Sequence, residues 1–362
     1  MKAGINQISP GLLVLWLTND CNLNCKYCYA NAGEKQEYMT FDTAKKAIDR
    51  MGQGGFKLQL AGGEPLMNMP LIREIYDYLR QTGINAGLQL QTNGTLITPE
   101  LAKEIRAMKI AVGVSLDGGI EMNEALRGQS GKVVEGIRNL SEAGIFVNLN
   151  CVLTARNAES LPGLVDMAYY LGNVKGIGLD LLRSTGRAVR NKVKQAGPVQ
   201  IREALRAAYD RTLQLKRASG RSIVIREIED AKRRLDRGDE CKGYCYAACG
   251  GSLVVLPDGS LYPCGSLAGR QEYLMGNVDD GDIRVMALRA DKSPECSACR
   301  YERLCPGGCP SRLIINRPDS RYSPQDCALR RTAFEIAEER PMAARTQPMP
   351  MLQGDIPEPG KV

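Results

Sequence analysis

The sequence predicts an α/β fold in which a parallel sheet curves into a partial (β/α)6 barrel. From residue 11 to about residue 190, short apolar runs alternate with amphipathic stretches, as in successive βα units. Six strands with right-handed crossovers favour an open, partial barrel over a closed one. The predicted strands are Leu12–Leu17, Phe56–Leu60, Gly87–Gln91, Ala111–Ser115, Val147–Val152 and Gly176–Leu181.

Helices are predicted between these strands, where apolar residues recur with helical spacing. They include Thr43–Met51, Leu71–Gln81, Pro99–Met108, Val133–Ala143 and Ser160–Leu171. In a parallel sheet of this kind, ligands bind where the strands end. Residues that bind ligands are therefore expected in the loops that follow the strands.

The first such loop carries three cysteines, Cys21, Cys25 and Cys28, directly after the apolar run Leu12–Leu17. Three thiolates with C-x3-C-x2-C spacing can hold three irons of a [4Fe–4S] cluster and leave the fourth iron open to another ligand. A zinc loop or three unrelated thiols are the alternatives. Zinc would require further ligands nearby, and the next hundred residues contain no matching pair.

Composition limits the remaining function classes. The chain has 362 residues, 43% hydrophobic and 25% charged, which is enough for a sizeable core and more than one domain. It contains no run of about 18 apolar residues and no secretory leader, so we expect a cytoplasmic protein without a membrane partner. The net charge of +7 indicates a solvated surface, with an acidic peptide partner as an alternative.

Cysteine and histidine usage points to metal-bound thiolates. The chain has 13 cysteines and no histidine. Disulfide frameworks are typical of small secreted chains, and this chain is neither small nor visibly secreted. The absence of histidine removes the commonest general base and zinc ligand, so any metal site must use cysteine or oxygen ligands.

Polar motifs follow the next three predicted strands: Gly62–Pro65, Gln91–Gly94 and Ser115–Gly118. Paired glycines allow the backbone to approach a ligand closely, and Glu64 is expected to fix the turn. Hydroxyl, amide and carboxylate groups at neighbouring strand ends would form a polar rim for a zwitterionic ligand. Taken singly, each motif is more typical of an ordinary turn or helix cap than of a binding site.

In this order, the motifs resemble the radical S-adenosylmethionine (radical SAM) superfamily over about residues 10–190. The family's cysteine signature has an aromatic residue before the third cysteine, here Tyr27. Its GGEP motif is Gly62–Pro65, and its SLDG…R stretch is Ser115–Gly118 with Arg127. Many relatives carry His-Asp shortly before that arginine. Asn123 and Glu124 stand there in this chain, so a role for that histidine is absent.

The resemblance implies that the open iron binds the amino and carboxylate groups of S-adenosylmethionine. It places Gly62, Gly63 and Glu64 at the amino group, Ser115 and Arg127 near the carboxylate, and Tyr27 and the Leu153 backbone beside adenine. It also implies reductive cleavage to a 5′-deoxyadenosyl radical that abstracts a substrate hydrogen. The electron would come from a reductant such as a ferredoxin or a flavodoxin.

Residues 191–240 are expected to form a helical connector. Gln200–Arg217 and Arg226–Arg237 have the pattern of exposed amphipathic helices. Their basic residues are not interleaved with aromatic side chains, so we expect no nucleic-acid partner. The stretch 181–188 is expected at a strand end that faces the cavity.

A second group of cysteines begins at Cys241. A C-x2-C pair followed by further cysteines is compatible with a zinc ribbon, but the number of thiols exceeds one zinc site and favours two clusters. An Asp-Gly turn within 256–264 predicts a hairpin that brings two of these cysteines together. Cys151, on a predicted strand, is expected to be a buried apolar thiol.

The spacings across about residues 241–330 resemble the SPASM domain of radical SAM peptide-modifying enzymes. This resemblance implies two auxiliary [4Fe–4S] clusters. Cluster I would use Cys249, Cys264 and Cys309, completed by Cys245 or by Cys241, with Cys245 preferred. Cluster II would use Cys296, Cys299, Cys305 and Cys327. The predicted domains are the barrel (1–190), the connector (191–240), the SPASM domain (241–340) and a disordered tail (341–362).

The expected function is radical modification of a peptide or protein side chain: cross-linking, epimerisation or oxidation. Formylglycine-forming relatives place an acidic residue after the cysteine matching Cys264, and Gly265 here counts against that activity. The alternatives are tailoring of a tetrapyrrole, as in haem d1 or alternative haem synthesis, and maturation of a metalloenzyme cofactor. A non-enzymatic iron–sulfur carrier or scaffold fits poorly, because the whole S-adenosylmethionine motif set is present.

Overall fold

The computed structural model describes residues 11–52, 54–238, 243–288 and 292–339. Its central feature is a parallel sheet in which each of the first six strands pairs with the next in chain order. These strands are β1 (Leu12–Trp16), β2 (Phe56–Ala61), β3 (Ala86–Thr92), β4 (Ala111–Ser115), β5 (Val147–Leu153) and β6 (Val174–Leu181). All six predicted strands are confirmed, with ends shifted by two residues or fewer.

Helices cover one face of this sheet. They are α1 (Phe41–Asp49), α2 (Met69–Thr82), α3 (Pro99–Ala107), α4 (Ile120–Leu126), α5 (Ser130–Glu142) and α6 (Leu161–Leu171). The apolar stripes of all of these except α4 and one face of every strand form a continuous core, while Leu126 of α4 packs in a separate cluster with Tyr27. Side chains on the opposite face of the strands, called the inner face below, remain partly accessible.

Local sequence explains where several helices begin. The hydroxyl of Thr40 accepts a hydrogen bond from the Thr43 amide at 3.2 Å and caps α1. Thr98 caps α3 in the same way, and Pro99 occupies its first position. Helix α4 was not predicted, because the Gly-Gly pair before it has the pattern of a turn and the helix has only seven residues.

The sheet continues beyond the predicted barrel at both edges. On one side the connector adds β7 (Val224–Ile225) beside β6. On the other side, β8 (Ser252–Val255) pairs in parallel with β1, followed by the antiparallel strands β9 (Ser260–Tyr262) and β10 (Gly276–Asn277). The cysteine-rich part of the chain therefore extends the barrel sheet.

The predicted hairpin is confirmed as β8 and β9. The Leu256 amide donates to the Ser260 carbonyl at 3.0 Å, and Gly259 takes a left-handed φ of 82° in the turn. A side chain at Gly259 would also collide with Asn277 and Val278. Glycine is thus required both by the turn and by the strand next to it.

The remaining helices are α7 (Arg187–Arg190), α8 (Pro198–Ser219), α9 (Arg226–Arg237), α10 (Pro310–Asn316) and α11 (Pro324–Glu338). The two connector helices, α8 and α9, lie where they were predicted. They are less exposed than expected, since both pack against α11 and α9 buries Glu227 and Ile228. The connector is therefore joined to the C-terminal part of the chain.

Cys241 and the proposed disordered tail lie outside the described residues. The division into barrel, connector and SPASM domain stays a prediction. Among the described helices, none is long and apolar enough to cross a membrane.

Candidate active site

The loop between β1 and α1, residues 17–40, carries Cys21, Cys25 and Cys28 and is called the cysteine loop below. Main-chain hydrogen bonds fix its shape: the Gly33 amide donates to the Asn19 carbonyl at 2.9 Å and closes the loop at its base. The Cys21 amide donates to the Asp20 carboxylate at 2.8 Å. The structure therefore places the three predicted cysteines on one short loop at the C-terminal edge of the sheet.

The electrostatics of these thiols favour binding of a cation. Burial raises the pKa of Cys21 to about 11, and the neighbouring Cys25 and Cys28 add to the effect. Burial also raises the pKa of Cys25, against the opposing charge of Arg127. Crowded thiols that destabilise one another's ionised form gain most from a metal that neutralises them.

Gly62 and Gly63 hold the end of β2 directly against the cysteine loop. A Cβ at Gly62 would lie 2.5 Å from the Thr18 carbonyl oxygen, and one at Gly63 only 2.0 Å from that of Asp20. The Gly63 amide donates to Thr18 and the Glu64 amide to Asp20, at 2.8 and 2.9 Å. The glycines thus allow two chain segments to approach each other, and their Cβ positions face protein.

Glu64 is fully buried, and its carboxylate is occupied within the protein. It accepts hydrogen bonds from the Leu66 amide at 3.2 Å, the Thr92 hydroxyl at 2.6 Å and the Asn93 amide at 2.7 Å. Burial raises its pKa, and these three donors oppose the rise. Glu64 fixes the turn, as predicted from the sequence, by joining the ends of β2 and β3.

Tyr27 and Arg127, predicted to contact different parts of one ligand, contact each other. The Arg127 guanidinium donates to the Tyr27 hydroxyl at 2.7 Å, and that hydroxyl donates to the Asp117 carboxylate. Arg127 also lies 3.9 Å from Asp117, while its Nε is buried without an acceptor among the described residues. Burial raises the pKa of Asp117, and the Arg127 charge opposes this.

Asp117 is a residue whose role the sequence did not reveal, although it lies inside the predicted Ser115–Gly118 motif. Its second carboxylate oxygen accepts from the Val152 amide at 2.9 Å. The neutral side chain of Asn123 accepts a hydrogen bond from the Asp117 main-chain amide at 3.2 Å. The residue therefore joins the ends of β4 and β5 beneath Tyr27.

Ser115 and Leu153 lie at the ends of β4 and β5. The Ser115 hydroxyl accepts from the Gln91 amide group at 3.1 Å, and Gln91 in turn accepts from Asn150 at 2.6 Å. The Leu153 carbonyl accepts from the Leu182 amide at 3.3 Å. Ser115 is therefore part of a network of amide side chains on the inner face. The main chain of Leu153 lies at the end of the neighbouring strand.

Arg187 is a further residue that the sequence did not single out. It is buried, and its guanidinium donates to the carbonyls of Cys25 and Ala32 at 3.0 and 2.8 Å. Its amide donates to the Cys28 carbonyl at 3.0 Å. Arg187 lies in the stretch 181–188, which was predicted to face the cavity. That prediction was the sequence evidence for a role of this stretch. The periodicity of the sequence could not show which of its residues holds the cysteine loop.

Trp16, the single tryptophan of the chain, packs against Tyr29 of the cysteine loop and against Gly265, the residue after Cys264. A Cβ at Gly265 would lie 2.7 Å from the Trp16 ring, and Tyr29 packs edge-on against that ring. Any larger residue after Cys264 would displace the indole. The Trp16 ring therefore leaves no room for an acidic side chain at position 265.

The C-terminal cysteines form two groups. Burial raises the pKa of Cys245 to about 12, and the nearby thiols of Cys309 and Cys264 add to this rise. In the other group, Cys299 and Cys327 contribute in the same way to the raised pKa values of Cys296 and Cys305. Among the described residues, no three cysteine or acidic side chains converge closely enough for a single metal ion.

A ring of charged groups encloses Cys309. Arg183 contacts the Cys309 sulfur at 3.6 Å and donates to Asp180, at the end of β6, at 2.6 Å. Asp180 accepts from Arg312, and Arg312 donates to Asp326 at 3.1 Å. Asp326 closes the ring by accepting from the Cys309 amide at 3.1 Å. The sequence did not predict this ring, which joins residues more than a hundred positions apart.

Comparison with known proteins identifies the family. Residues 17–168 match the family described as the radical SAM superfamily. The chain is 35% identical over 302 residues to an uncharacterised protein of Methanocaldococcus jannaschii, covering 80% of this chain and 95% of that protein. The chain belongs to the radical SAM superfamily.

Two further relatives have named functions. The AdoMet-dependent heme synthase of Methanosarcina barkeri is 30% identical, covering 86% of this chain and 94% of the relative. The mycofactocin maturase MftC of Mycobacterium tuberculosis is 28% identical, with 83% and 78% covered. These radical SAM relatives are therefore similar in sequence and differ in the activity that their names state.

Solved structures show the same fold. The structure described as native anSMEcpe with bound AdoMet has a TM-score of 0.74 at 23% identity and covers 90% of this chain and 96% of that one. Streptococcus suis SuiB bound to the precursor peptide SuiA has a TM-score of 0.65 at 20% identity, with 88% and 76% covered. This protein is a radical SAM enzyme, and its family implies a [4Fe–4S] cluster and S-adenosylmethionine.

Proposed function

We propose that this radical SAM enzyme abstracts a hydrogen atom from a peptide or protein side chain held on the inner face of the sheet. The supporting observation is a row of amide side chains on that face, along adjacent strands. Gln59 on β2 and Gln89 on β3 are register partners. The Gln91 side chain on β3 accepts a hydrogen bond from Asn150 on β5, and Gly113 on β4 lies between them. Amides carry both donors and acceptors, which match the main-chain groups of a bound peptide.

The cysteine loop fits the iron–sulfur cluster implied by the family. Its three thiols lie on one loop without histidine, and their mutual effect on ionisation favours a cationic centre. Cys21, Cys25 and Cys28 would hold three irons. When bound, the cluster and S-adenosylmethionine would supply a 5′-deoxyadenosyl radical as the hydrogen-abstracting agent.

The chain's own residues would position S-adenosylmethionine and exclude water. The carbonyl oxygens of the glycine turn could accept from its amino group, because the main-chain amides of Gly63 and Glu64 are donors and are bonded to the cysteine loop. Arg127 retains an unpartnered Nε for a carboxylate, and Tyr27 holds that guanidinium in place. Ser115 and the Leu153 backbone would line the remaining edge of the site.

We further propose two auxiliary clusters. Cys245, Cys249, Cys264 and Cys309 would hold cluster I, and Cys296, Cys299, Cys305 and Cys327 would hold cluster II. The two groups of neighbouring thiols support this partition, since Cys245 lies by Cys264 and Cys309 while Cys296 lies by Cys327. Arg183 would neutralise part of the negative charge of cluster I through Cys309.

A peptide substrate is supported by the similarity to the mycofactocin maturase. Formylglycine formation is disfavoured, because the Trp16 ring fills the space that an acidic side chain at Gly265 would require. Cross-linking or another oxidation of a side chain is compatible with the site.

A second candidate substrate is a tetrapyrrole, supported by the similarity to the heme synthase and by Arg226. The Arg226 guanidinium lies against Gly178 on the inner face, and Glu227 accepts from its Nε and Nη2 at 3.0 and 2.8 Å. Its Nη1 has no acceptor among the described residues. Because Nη2 also donates to the Leu179 carbonyl at 3.1 Å, Nη1 is the nitrogen that could donate to a carboxylate such as a porphyrin propionate.

Two experiments test these proposals. The anaerobically reconstituted protein should contain about twelve irons, as three [4Fe–4S] clusters require, and release 5′-deoxyadenosine with dithionite. An iron content of about four would remove the auxiliary clusters, while the absence of 5′-deoxyadenosine would remove the proposed activity. Replacing Cys296 or Cys327 with alanine should lower the iron content by about four and preserve uncoupled cleavage.

The substrate class can be decided separately. Short peptides encoded next to the gene should change mass on incubation with the enzyme and S-adenosylmethionine if the substrate is a peptide. Iron coproporphyrin III should give a saturable absorbance change, weakened by Arg226→Gln, if it is a tetrapyrrole. A porphyrin complex together with unmodified peptides would replace the first proposal with the second.

A further inference from the structure

Arg187, at the first position of α7, places a buried positive charge against the cysteine loop. The residue is 7% exposed. Its Nε donates to the Cys25 carbonyl at 3.0 Å, and its Nη1 donates to the Ala32 carbonyl at 2.8 Å. Both acceptors are neutral main-chain oxygens. The guanidinium is therefore hydrogen-bonded, but these contacts do not neutralise its charge.

Arg187 also lacks the carboxylate partner that another buried arginine of this protein has. Within the part of the chain that the structure describes, no carboxylate lies within ion-pair distance of Arg187. Arg312, which is buried to a similar degree, pairs with the carboxylates of Asp180 and Asp326. Burying an unpaired charge costs free energy, so we expect an anion from outside the polypeptide beside the Arg187 guanidinium.

The acidic residues of the cysteine loop have other partners. Asp20 accepts a hydrogen bond from a main-chain amide of the loop at 2.8 Å, and Glu34 pairs with Arg190. Glu37 accepts from the side chain of Asn19. The counter-charge of the buried guanidinium is therefore not an acidic side chain of this loop.

The backbone next to Arg187 is in close contact with the same loop. Gly186 has a left-handed φ of 58°, and a Cβ at this position would lie 2.5 Å from the Cys28 carbonyl oxygen. The Arg187 amide donates to that carbonyl at 3.0 Å. Because glycine permits this approach, the Arg187 backbone and side chain both reach peptide groups of predicted iron ligands, Cys28 and Cys25.

We propose that Arg187 is a positioning residue that acts as the internal counter-charge of the [4Fe–4S] cluster at Cys21, Cys25 and Cys28. This inference rests on the proposed function, since it requires that cluster. A thiolate-ligated cluster becomes more negative when it gains one electron from an external reductant, with no proton transferred. A fixed cation beside the cluster stabilises the reduced form more than the oxidised form and raises the reduction potential.

Two substitutions separate the charge of Arg187 from its hydrogen bonds. Arg187→Gln removes the charge and retains an amide donor, whereas Arg187→Lys retains the charge and an ammonium donor. Arg190→Gln is the matched control. Arg190 lies on the same helix and pairs with Glu34 of the cysteine loop, but its side chain is 54% exposed.

The test measures the reduction potential of the cluster on the cysteine loop. Each protein is reconstituted anaerobically, its iron content is determined, and a redox titration is followed by electron paramagnetic resonance. The signal that changes when S-adenosylmethionine is added identifies this cluster among any others. Release of 5′-deoxyadenosine is then measured with dithionite and with titanium(III) citrate, which is the stronger reductant.

We expect Arg187→Gln to lower the ratio of reduced to oxidised cluster about tenfold at a fixed potential, a downward shift of about 59 mV for one electron. Arg187→Lys should recover most of this shift. Arg190→Gln should leave the potential unchanged, because solvent screens an exposed charge. Release of 5′-deoxyadenosine by Arg187→Gln should be slow with dithionite and recover with titanium(III) citrate, since only the driving force for reduction has changed.

Three results would overturn the proposal. An unchanged potential in Arg187→Gln would show that this charge does not act on the cluster. Equal shifts in both Arg187 variants, or loss of the cluster from both, would assign Arg187 a structural role through its hydrogen bonds. An equal shift in Arg190→Gln would show that any charge near the loop has the same effect.

Failure of the proposed function gives a different result. The wild type would then show no signal that responds to S-adenosylmethionine and would release no 5′-deoxyadenosine with either reductant. Loss of iron from Arg187→Gln that Arg187→Lys prevents would instead support the proposal, because the charge would then be required to hold the anionic cluster.

Discussion

The two cysteine regions of this protein are held in different ways. The cysteine loop near the N-terminus is shaped by main-chain hydrogen bonds and by the close approach that Gly62 and Gly63 permit. Cys309, in the C-terminal region, is enclosed by a ring of buried or half-buried charges that includes Arg183, Arg312 and Asp326. In the first region main-chain carbonyls are the bonded groups, including those that accept from the Arg187 guanidinium, and in the second region buried side-chain charges pair with one another.

This difference indicates that the two cysteine regions have different roles. A backbone-defined loop fixes the positions of three ligands and leaves the adjacent space for a cofactor and substrate. A charged ring fixes the same kind of thiol and also places a guanidinium against its sulfur, where it can influence the electronic properties of a bound cluster. The following variants break or sharpen that comparison, beginning with the largest expected effect.

Cys25→Ala should abolish 5′-deoxyadenosine release with dithionite, because it removes one of three proposed iron ligands from a loop that has no fourth cysteine. The product is measured by chromatography after anaerobic reconstitution. Cys151→Ala is the matched control. Cys151 is also a buried thiol, but it lies within β5 and should retain cleavage. Retained cleavage in the Cys25 variant would disprove the assignment of the cysteine loop.

Arg312→Met should lower the free energy of unfolding by about 3–5 kcal/mol, because it strands the buried carboxylate of Asp326 without its partner. The Arg312 side chain is 3% exposed, as is that of Asp326. Urea denaturation of the cluster-free protein measures the change. Arg206→Met, which breaks an exposed ion pair with Glu335, should cost about 1 kcal/mol or less. Similar values for both variants would contradict a buried charged ring.

Gly63→Ala should cost about 3 kcal/mol, because the added Cβ would lie 2.0 Å from the Asp20 carbonyl and force the turn away from the cysteine loop. Gly163→Ala, at a position in α6 with no neighbouring atom within 4 Å, should be neutral or stabilise by up to about 1 kcal/mol. The same denaturation experiment compares them. A harmless Gly63→Ala would mean that the glycine turn is not packed as described.

Arg183→Gln should lower the reduction potential of the cluster proposed at Cys309, because it removes a positive charge and a hydrogen-bond donor from a ligating sulfur. Arg183→Lys should recover part of the shift, since it retains the charge. A redox titration followed by electron paramagnetic resonance gives the potential, and iron analysis confirms that the cluster is retained. Unchanged potentials in both variants would limit Arg183 to a structural role.

Much of the fold could be predicted because its signals are local. The first strand of the barrel is a continuous apolar run that the cysteine loop follows directly, and strands such as β2 and β5 alternate apolar and polar residues. The hairpin of β8 and β9 was predicted from an Asp-Gly turn. Helix α4 was missed because seven residues after a Gly-Gly pair provide too little periodicity, and the pairing of β8 with β1 has no local signal at all.

The site residues divide in the same way. The sequence alone determined the six-stranded barrel order, the three thiols of the cysteine loop and the polar strand ends, because residue spacing and turn chemistry act over a few positions. Tertiary structure alone decided that Tyr27 and Arg127 meet at Asp117 and that Arg187 holds the cysteine loop. It also decided that Arg183 reaches Cys309. These contacts join residues about 90 to 160 positions apart in the sequence. They form because assembly of the sheet buries apolar surface and brings distant segments together. Local sequence patterns contain no information about such contacts.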